Sequence, residues 1–240
     1  MADTTTKTLS EAAARATISA TREIRPVREV AWSGTGPPPL IVLPDHPTPA
    51  DRSAARLLEQ KLNAVMSRAE ASADAPASRV RVAAGDSAVD GAAAARLVFS
   101  IGRNRLLRTM APSLPLTRIG GNPQGYVVQP IDAESGHVVF LVGETALGNY
   151  YAAASAAQLI EDGRCVYHSA ALVDYPDFLG RSYLLKPWET PADIARELDG
   201  LERMSRLKLN KVYAGYENRT KAWYRPTDLF KSGIAEIGRH

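Results

Sequence analysis

The sequence predicts an α/β protein, because short apolar runs of strand length alternate with longer segments of helical periodicity. Leu40–Leu43 and Leu97–Ile101 are such runs, and the segment 49–66 between them repeats its apolar residues with helical spacing. Two further runs, 125–131 and 137–142, are joined by a five-residue turn and predict an antiparallel hairpin. A strand–helix–strand segment combined with a hairpin predicts a mixed sheet, with helices on one face.

Two helices carry the clearest signals. The segment 49–66 places its apolar residues on one face, and these residues are Ala54, Leu57, Leu58, Leu62 and Val65. A second helix, predicted over about 143–160, is rich in alanine and can therefore lie close to a sheet. Gly148 costs this helix about 1 kcal/mol of propensity relative to alanine, so we expect it to allow close backbone contact.

The other segments give shorter elements. The run 80–82 predicts a strand, and 165–167 and 170–173 predict two short extended pieces. Residues 1–36 contain a capping-box pattern at 8–11 and are expected to be partly helical or disordered. From Asp174 onward the sequence predicts a strand, a helix that begins near Pro191, and a second strand over 207–213.

The charge and hydropathy pattern excludes several classes of partner. The net charge is only +3 and no block of like charges occurs, so we expect no nucleic-acid binding. No apolar run approaches the ~20 residues that a membrane span needs, so no membrane partner is expected. The N-terminus lacks the apolar stretch of a secretory signal, which predicts a cytoplasmic protein as written without excluding export of a parent protein.

The residues that most often bind metals or cofactors are sparse. Cys165 is the only cysteine, which excludes an internal disulfide and a cysteine-based metal cluster. His137 has no histidine or carboxylate at metal-ligand spacing, so neither a metal nor a catalytic role is expected for it. Asp132 and Glu134 are interpreted as residues of a solvated turn. The sequence therefore predicts no metal site and no cofactor.

Three stretches together carry a family resemblance. Gln124–Val128 is followed by a turn and then by 139–160, which reads Val-Phe-Leu-Val-Gly-Glu-Thr-Ala-Leu-Gly-Asn-Tyr-Tyr before its alanines. Val173–Ser182 reads Val-Asp-Tyr-Pro-Asp-Phe-Leu-Gly-Arg-Ser, and Leu207–Tyr213 contains Lys-Leu-Asn. In this order they resemble the N-terminal domain and first barrel strands of family 20 β-N-acetylhexosaminidases. Related N-terminal domains precede the barrels of family 84 enzymes and of some glucuronidases.

The resemblance implies a division of the chain. Residues 37–173 would form the α+β-like accessory domain, and 174–240 would begin a (β/α)₈ catalytic barrel. A whole barrel takes ~250 residues, so only its first βα units would fit, and we expect a truncated fragment. The remaining barrel segment would belong to the parent protein.

The same resemblance implies the chemistry. The parent protein would remove terminal N-acetylhexosamine residues from glycans. An Asp–Glu pair near the fourth barrel strand would act there: the Glu protonates the glycosidic oxygen, and the Asp orients the substrate's own acetamido nucleophile. This strand lies beyond the chain, so no catalytic residue is predicted within it, and the chain alone is expected to be inactive.

Four residues are predicted to bind the sugar. Arg181 matches a strand-one arginine whose planar donor fork suits two adjacent hydroxyls, and the alternative is a structural salt bridge. Trp188 follows the first strand and would stack on a sugar face, or pack in the barrel wall. Glu217 and Asn218 follow the second strand and would face the same mouth, because barrel sites lie at the C-terminal ends of strands.

The chain departs from the family 20 pattern after Ser182. It reads Tyr-Leu-Leu-Lys-Pro-Trp where the resemblance implies an Asp and Arg-His-Phe, and the Pro-Trp pair is closer to family 84. Two alternatives therefore stay open. One is a non-catalytic, carbohydrate-associated α/β module, and the other is a glycosidase of different specificity, such as a glucuronidase.

Overall fold

The chain divides into two compact units, Met1–Asp177 and Phe178–His240. In a computed structural model, the residues described are 22–32, 37–70, 79–84, 91–92, 94–111, 113–134, 136–184 and 190–213. The predicted helix near residues 8–20, and the predicted sites at Trp188, Glu217 and Asn218, lie outside these ranges. The predicted division at residue 173 stays a prediction.

The first unit contains strands and helices in a mixed order. Its strands are β1 (Glu23–Ala31), β2 (Leu40–Val42), β3 (Arg81–Ala83), β4 (Leu97–Ile101), β5 (Tyr126–Ala133), β6 (Gly136–Gly143) and β7 (Val166–Asp174). Its helices are α1 (Pro49–Glu70), α2 (Arg105–Met110) and α3 (Ala146–Gln158), with a 3₁₀ turn at Leu116–Ile119. None of the described helices is long and apolar enough to cross a membrane.

Among the described residues, seven strands form one sheet in the order β1-β7-β5-β6-β4-β2-β3. Strands β3, β2, β4 and β6 run parallel to one another, and each of these parallel steps crosses over through other elements. Strand β5 pairs antiparallel with both β6 and β7, and β7 pairs antiparallel with β1. This mixed α/β sheet confirms the predicted fold class, but the helices lie on both faces of the sheet and not on one face as predicted.

Alternate residues of the central strands pack on opposite faces of the sheet. On one face, Ile41, Phe99 and Leu141 contact α1 and α3, the two long helices. On the other face, Val42, Val98 and Phe140 pack with α2. Every residue predicted for the apolar face of α1 is buried, so its helical periodicity is confirmed.

Strand β1 is not predicted by the sequence pattern. It lies at the sheet edge, where charged side chains reach solvent, so it lacks the apolar run that marks β2 and β4. Pro26 also interrupts the pattern, and the pairing with β7 shifts register between Pro26 and Arg28. Proline in a strand is tolerated at such edges and bulges.

Two further details of the strands differ from expectation. The β5–β6 pairing extends to Ala133 and Gly136, so the predicted five-residue turn is wrong and the strands themselves continue into it. The two extended pieces predicted over 165–173 form a single strand, β7, because antiparallel pairing with β1 spans both.

The second unit contains a strand–helix–strand segment, as predicted. Strand β8 (Ser182–Leu184) pairs in parallel with β9 (Lys211–Tyr213), and α4 (Pro191–Arg206) connects them. Thr190 caps the helix: its hydroxyl accepts from the Asp193 N–H, and the Asp193 carboxylate accepts from the Thr190 N–H. Pro191 occupies the first turn, where a missing N–H costs nothing.

Candidate functional site

Arg181, the predicted sugar-binding residue within the described chain, lies directly before β8. Its backbone N–H donates to Asn210 Oδ1 at 2.9 Å, and its carbonyl accepts from the N–H groups of Asn210 and Lys211. The Asn210 amide also donates to the Leu179 carbonyl at 2.8 Å. Asn210, from the Lys-Leu-Asn motif, therefore joins the start of β9 to the start of β8.

The position of Arg181 bears on its proposed role. β8 and β9 are parallel, so their C-terminal ends, Leu184 and Tyr213, lie at one edge of the pair. Arg181 lies at the opposite edge, whereas barrel active sites lie at the C-terminal ends. Its guanidinium would have to extend along β8 to reach a sugar there, so this role stays a prediction.

Two other motifs of the resemblance have a structural role in the first unit. Tyr126, from the Gly-Tyr strand, and Asp174, from the Asp-Tyr-Pro stretch, lie 48 residues apart in sequence. The Tyr126 hydroxyl donates to Asp174 Oδ2 at 2.9 Å and contacts Ser155 Oγ at 2.6 Å. The Arg22 N–H donates to Asp174 Oδ1 at 3.3 Å. This buried hub joins β5, α3 and the end of β7.

The segment after β7 is held against the same unit by Arg22. Its guanidinium lies 4.1 Å from the centre of the Tyr175 ring, and its Nε–H donates to the Tyr175 carbonyl at 3.0 Å. Arg22 also pairs with Asp177, and the Asn122 amide donates to the Pro176 carbonyl. The Asp-Tyr-Pro stretch is therefore an anchor at the end of the first unit.

A second polar cluster is formed by Arg28, Asp132, His137 and Ser169. His137 Nδ1 lies 2.7 Å from Asp132 Oδ1, and Nε2 lies 2.8 Å from Ser169 Oγ. A carboxylate only accepts, so Nδ1 carries the proton and Nε2 accepts from the serine hydroxyl. Arg28 Nη2 pairs with the same Asp132 oxygen at 2.6 Å.

His137 has a carboxylate partner that its spacing in the sequence does not reveal, and the prediction that Asp132 lies in a turn is wrong, because Asp132 belongs to β5. The two residues face each other across the β5–β6 hairpin, so cross-strand register brings them together although they are five positions apart. The sequence predicts the hairpin, but the Asp132–His137 pair becomes evident only when both predicted strands are extended into the turn and their register is known.

The order Asp–His–Ser resembles the hydrogen-bonding order of a hydrolytic triad, but the burial is wrong for catalysis. His137 is 1% exposed and Ser169 is 2% exposed, so no substrate carbon can approach the hydroxyl. The His137–Ser169 pair is therefore a buried structural contact, whereas the Asp132 and Arg28 side chains reach solvent. Among the described residues, no group of three or more His, Cys, Asp or Glu side chains could hold a metal ion.

Because His137 is buried, we expect the stability of the first unit to depend on pH. Burial lowers the pKa of the His137 imidazole and the Arg28 charge acts in the same direction, against the opposing hydrogen bond to Asp132. Below pH ~6.5 the unfolded histidine binds a proton that the folded one resists, so stability falls as pH falls. We expect the urea midpoint to decrease between about pH 7 and pH 5. His137→Gln should flatten this slope, and an equal slope in both proteins would contradict the assignment.

Comparisons with known proteins show a likeness of fold. By sequence, no known family and no curated protein matches the chain. The solved structure of CpGH84B is 17% identical and covers 91% of this chain, at a TM-score of 0.55. CpGH84D is 14% identical and covers 90% of this chain, at a TM-score of 0.58. The chain spans only 34% of each of those proteins.

A family 20 structure is also similar, at lower scores. The GH20 exo-β-N-acetylglucosaminidase from Vibrio harveyi, solved with N-acetylglucosamine, is 12% identical and has a TM-score of 0.49. The similarity covers 86% of this chain and 26% of that protein. The two family 84 structures confirm the predicted resemblance at the level of fold. The chain thus shares the fold of about a third of each of those two proteins.

Proposed function

We propose that the chain is the accessory domain and first barrel segment of a glycoside hydrolase that removes terminal N-acetylhexosamine residues from glycans. The observation that carries this proposal is the fold likeness to CpGH84B, which extends over 91% of this chain but only 34% of that protein. A strand–helix–strand unit with parallel β8 and β9 supports it, because this is the repeating unit of a (β/α)₈ barrel.

In this proposal the chain contributes binding and scaffolding, and the catalytic pair comes from later barrel strands. The glutamic acid of that pair protonates the glycosidic oxygen, while its aspartate orients the acetamido group whose oxygen attacks the anomeric carbon. Arg181, Trp188, Glu217 and Asn218 hold the hydroxyls and one face of the sugar ring. The first unit anchors the segment that leads into the barrel through Asp174 and Arg22.

The test uses the full-length product of the native gene, with 4-nitrophenyl glycosides as substrates. We expect hydrolysis of the N-acetyl-β-glucosaminide and none of the β-glucuronide, because a glucuronide lacks the acetamido nucleophile. Preference for the glucuronide would favour the alternative glycosidase, and the absence of any hydrolysis would favour a non-catalytic module.

Arg181→Ala in that protein tests the sugar-binding assignment. The backbone hydrogen bonds to Asn210 survive this substitution, because they involve only the peptide group of residue 181. We expect kcat/KM to fall by about tenfold or more if the guanidinium holds two hydroxyls. Arg203→Ala removes the same charge from an exposed ion pair on α4 and should leave kcat/KM unchanged.

A further inference from the structure

A cavity of about 370 Å³ lies in the first unit, between the second half of β1 and the end of the β5–β6 hairpin. It arises because β5 pairs with β7 only over Tyr126–Val128. Beyond that point β7 continues beside β1, and β5 continues beside β6. Side chains rather than backbone pairs fill the gap between the diverging strands.

The wall of this cavity is held in place by the second polar cluster. Ser169 fixes His137, His137 fixes Asp132, and Asp132 fixes Arg28. The outer ends of the last two side chains are nevertheless open: the Asp132 side chain is 59% exposed and that of Arg28 is 38% exposed. The Asp132 carboxylate and the Arg28 guanidinium therefore reach solvent at the cavity while they are held in an ion pair.

Three more charged residues line the cavity, namely Glu29, Arg96 and Glu134. Glu29 pairs with His168 Nδ1 at 3.4 Å. Within the described part of the chain, neither the Arg96 nor the Glu134 side chain makes a hydrogen bond or an ion pair. The backbone at Arg96 is nonetheless held in place, because the Arg96 carbonyl accepts from the His137 N–H at 2.9 Å. Gly136 also packs so closely that an added Cβ would lie 2.6 Å from the Arg96 oxygen.

The chemistry of the lining selects the class of ligand. An anion would face Glu29, Asp132 and Glu134, and a cation would face Arg28 and Arg96, so neither finds complementary charge on all sides. A neutral ring with adjacent hydroxyls uses both kinds of group, since each hydroxyl donates to a carboxylate and accepts from a guanidinium fork. Val30, Ala31 and Ala133 add carbon surface for the C–H face of such a ring.

We propose that this cavity binds a pyranose unit of a glycan. Its volume lies at the lower end of the range for small-molecule sites, about 300–1,000 Å³, as a single sugar ring requires. The accessory domain then contributes a sugar-binding site of its own, whether or not the parent protein hydrolyses the same glycan.

The test is a titration of the ¹⁵N-labelled 240-residue chain with N-acetylglucosamine, followed through backbone amide shifts. We expect saturable shifts at Ala31, Ala133 and Gly136, with a Kd of about 1 mM. Arg96→Ala and Glu134→Gln should each weaken binding about tenfold, because each removes hydrogen bonds to hydroxyls. Both side chains lack partners among the described residues, so these variants should keep the wild-type spectrum.

Arg56→Ala is the matched control, since Arg56 is an exposed arginine on α1 and the charge change is the same. Unchanged affinity in Arg96→Ala, or an equal loss in Arg56→Ala, would overturn the proposal. So would stronger shifts with glycine or inorganic phosphate than with the sugar. Shifts confined to Arg181 and Asn210 would support sugar binding beside β8 and β9 while refuting the cavity, so the two proposals fail separately.

Discussion

Gly148→Ala is expected to lower the free energy of unfolding of the first unit by about 2–3 kcal/mol. A Cβ at this position would lie 2.5 Å from the Gly125 carbonyl oxygen and 2.8 Å from Gly143 Cα. Both are backbone atoms, which cannot rotate away as a side chain can. The helix α3 would therefore have to move off β5 and β6, and the buried alanines that depend on this close approach would lose contact.

Gly200→Ala provides the matched comparison. Gly200 also lies inside a helix, α4, but an added Cβ there would meet nothing within 4 Å. Helix propensity alone predicts that alanine raises the free energy of unfolding by about 1 kcal/mol at both positions. The close backbone contacts of Gly148 predict instead that alanine lowers it there and raises it only at position 200. Urea denaturation, followed separately for the two units, measures the difference. Stabilisation by Gly148→Ala would show that the close approach does not constrain the fold.

Asp174→Ala is expected to destabilise the first unit by about 2–3 kcal/mol, the usual loss for hydrogen bonds to a charged group. Asp174 is 5% exposed and accepts from the buried Tyr126 hydroxyl and from the Arg22 N–H. Alanine leaves the tyrosine hydroxyl without its carboxylate partner in a site closed to water.

Asp177→Ala is the control for this effect. Asp177 lies three residues further along the same segment and pairs with Arg22, but its side chain is 74% exposed. Exposed ion pairs contribute about 0–1 kcal/mol, so its loss should be small. Thermal or urea unfolding of both variants shows whether the loss comes from the buried hydrogen bonds of Asp174 or from removal of any negative charge in the segment. Equal effects at the two positions would contradict the anchoring role of Asp174.

The sequence predicts the elements whose signals are local. Periodicity predicts α1 and its buried face, and apolar runs predict β2 and β4, because burial on both sides requires such residues. The role of Gly148 can also be predicted from the local sequence. A glycine inside an alanine-rich helix lowers helix stability, and close backbone contact is a reason for it to be there. The predicted backbone approach is present at Gly143 and Gly125.

Elements defined by distant partners could not be predicted in this way. Strand β1 has charges and Pro26 in its sequence, and its identity as a strand comes from pairing with β7, well over a hundred residues later. The contact between Tyr126 and Asp174 follows from the antiparallel register that places these two residues opposite each other. The network at His137 likewise requires knowledge of which residue of β5 it faces.

The surroundings of the candidate sugar-binding residues could not be predicted from the sequence either. A family resemblance identified Arg181, and the structure places it at the edge where β8 and β9 begin. The charged cavity beside Asp132 had no sequence signal, because its groups come from β1, β5 and the residue before β4. Such a site is assembled only when divergent strands bring these segments together.

The most direct test of the account is an assay of the purified 240-residue chain with 4-nitrophenyl N-acetyl-β-glucosaminide. We propose that this chain holds the accessory domain and the first barrel unit and that the catalytic pair lies on later strands, so we expect a folded protein without turnover above the uncatalysed rate. Circular dichroism on the same sample establishes that the protein is folded. Turnover that copurifies with the folded chain would place a complete catalytic site within these residues and contradict the account.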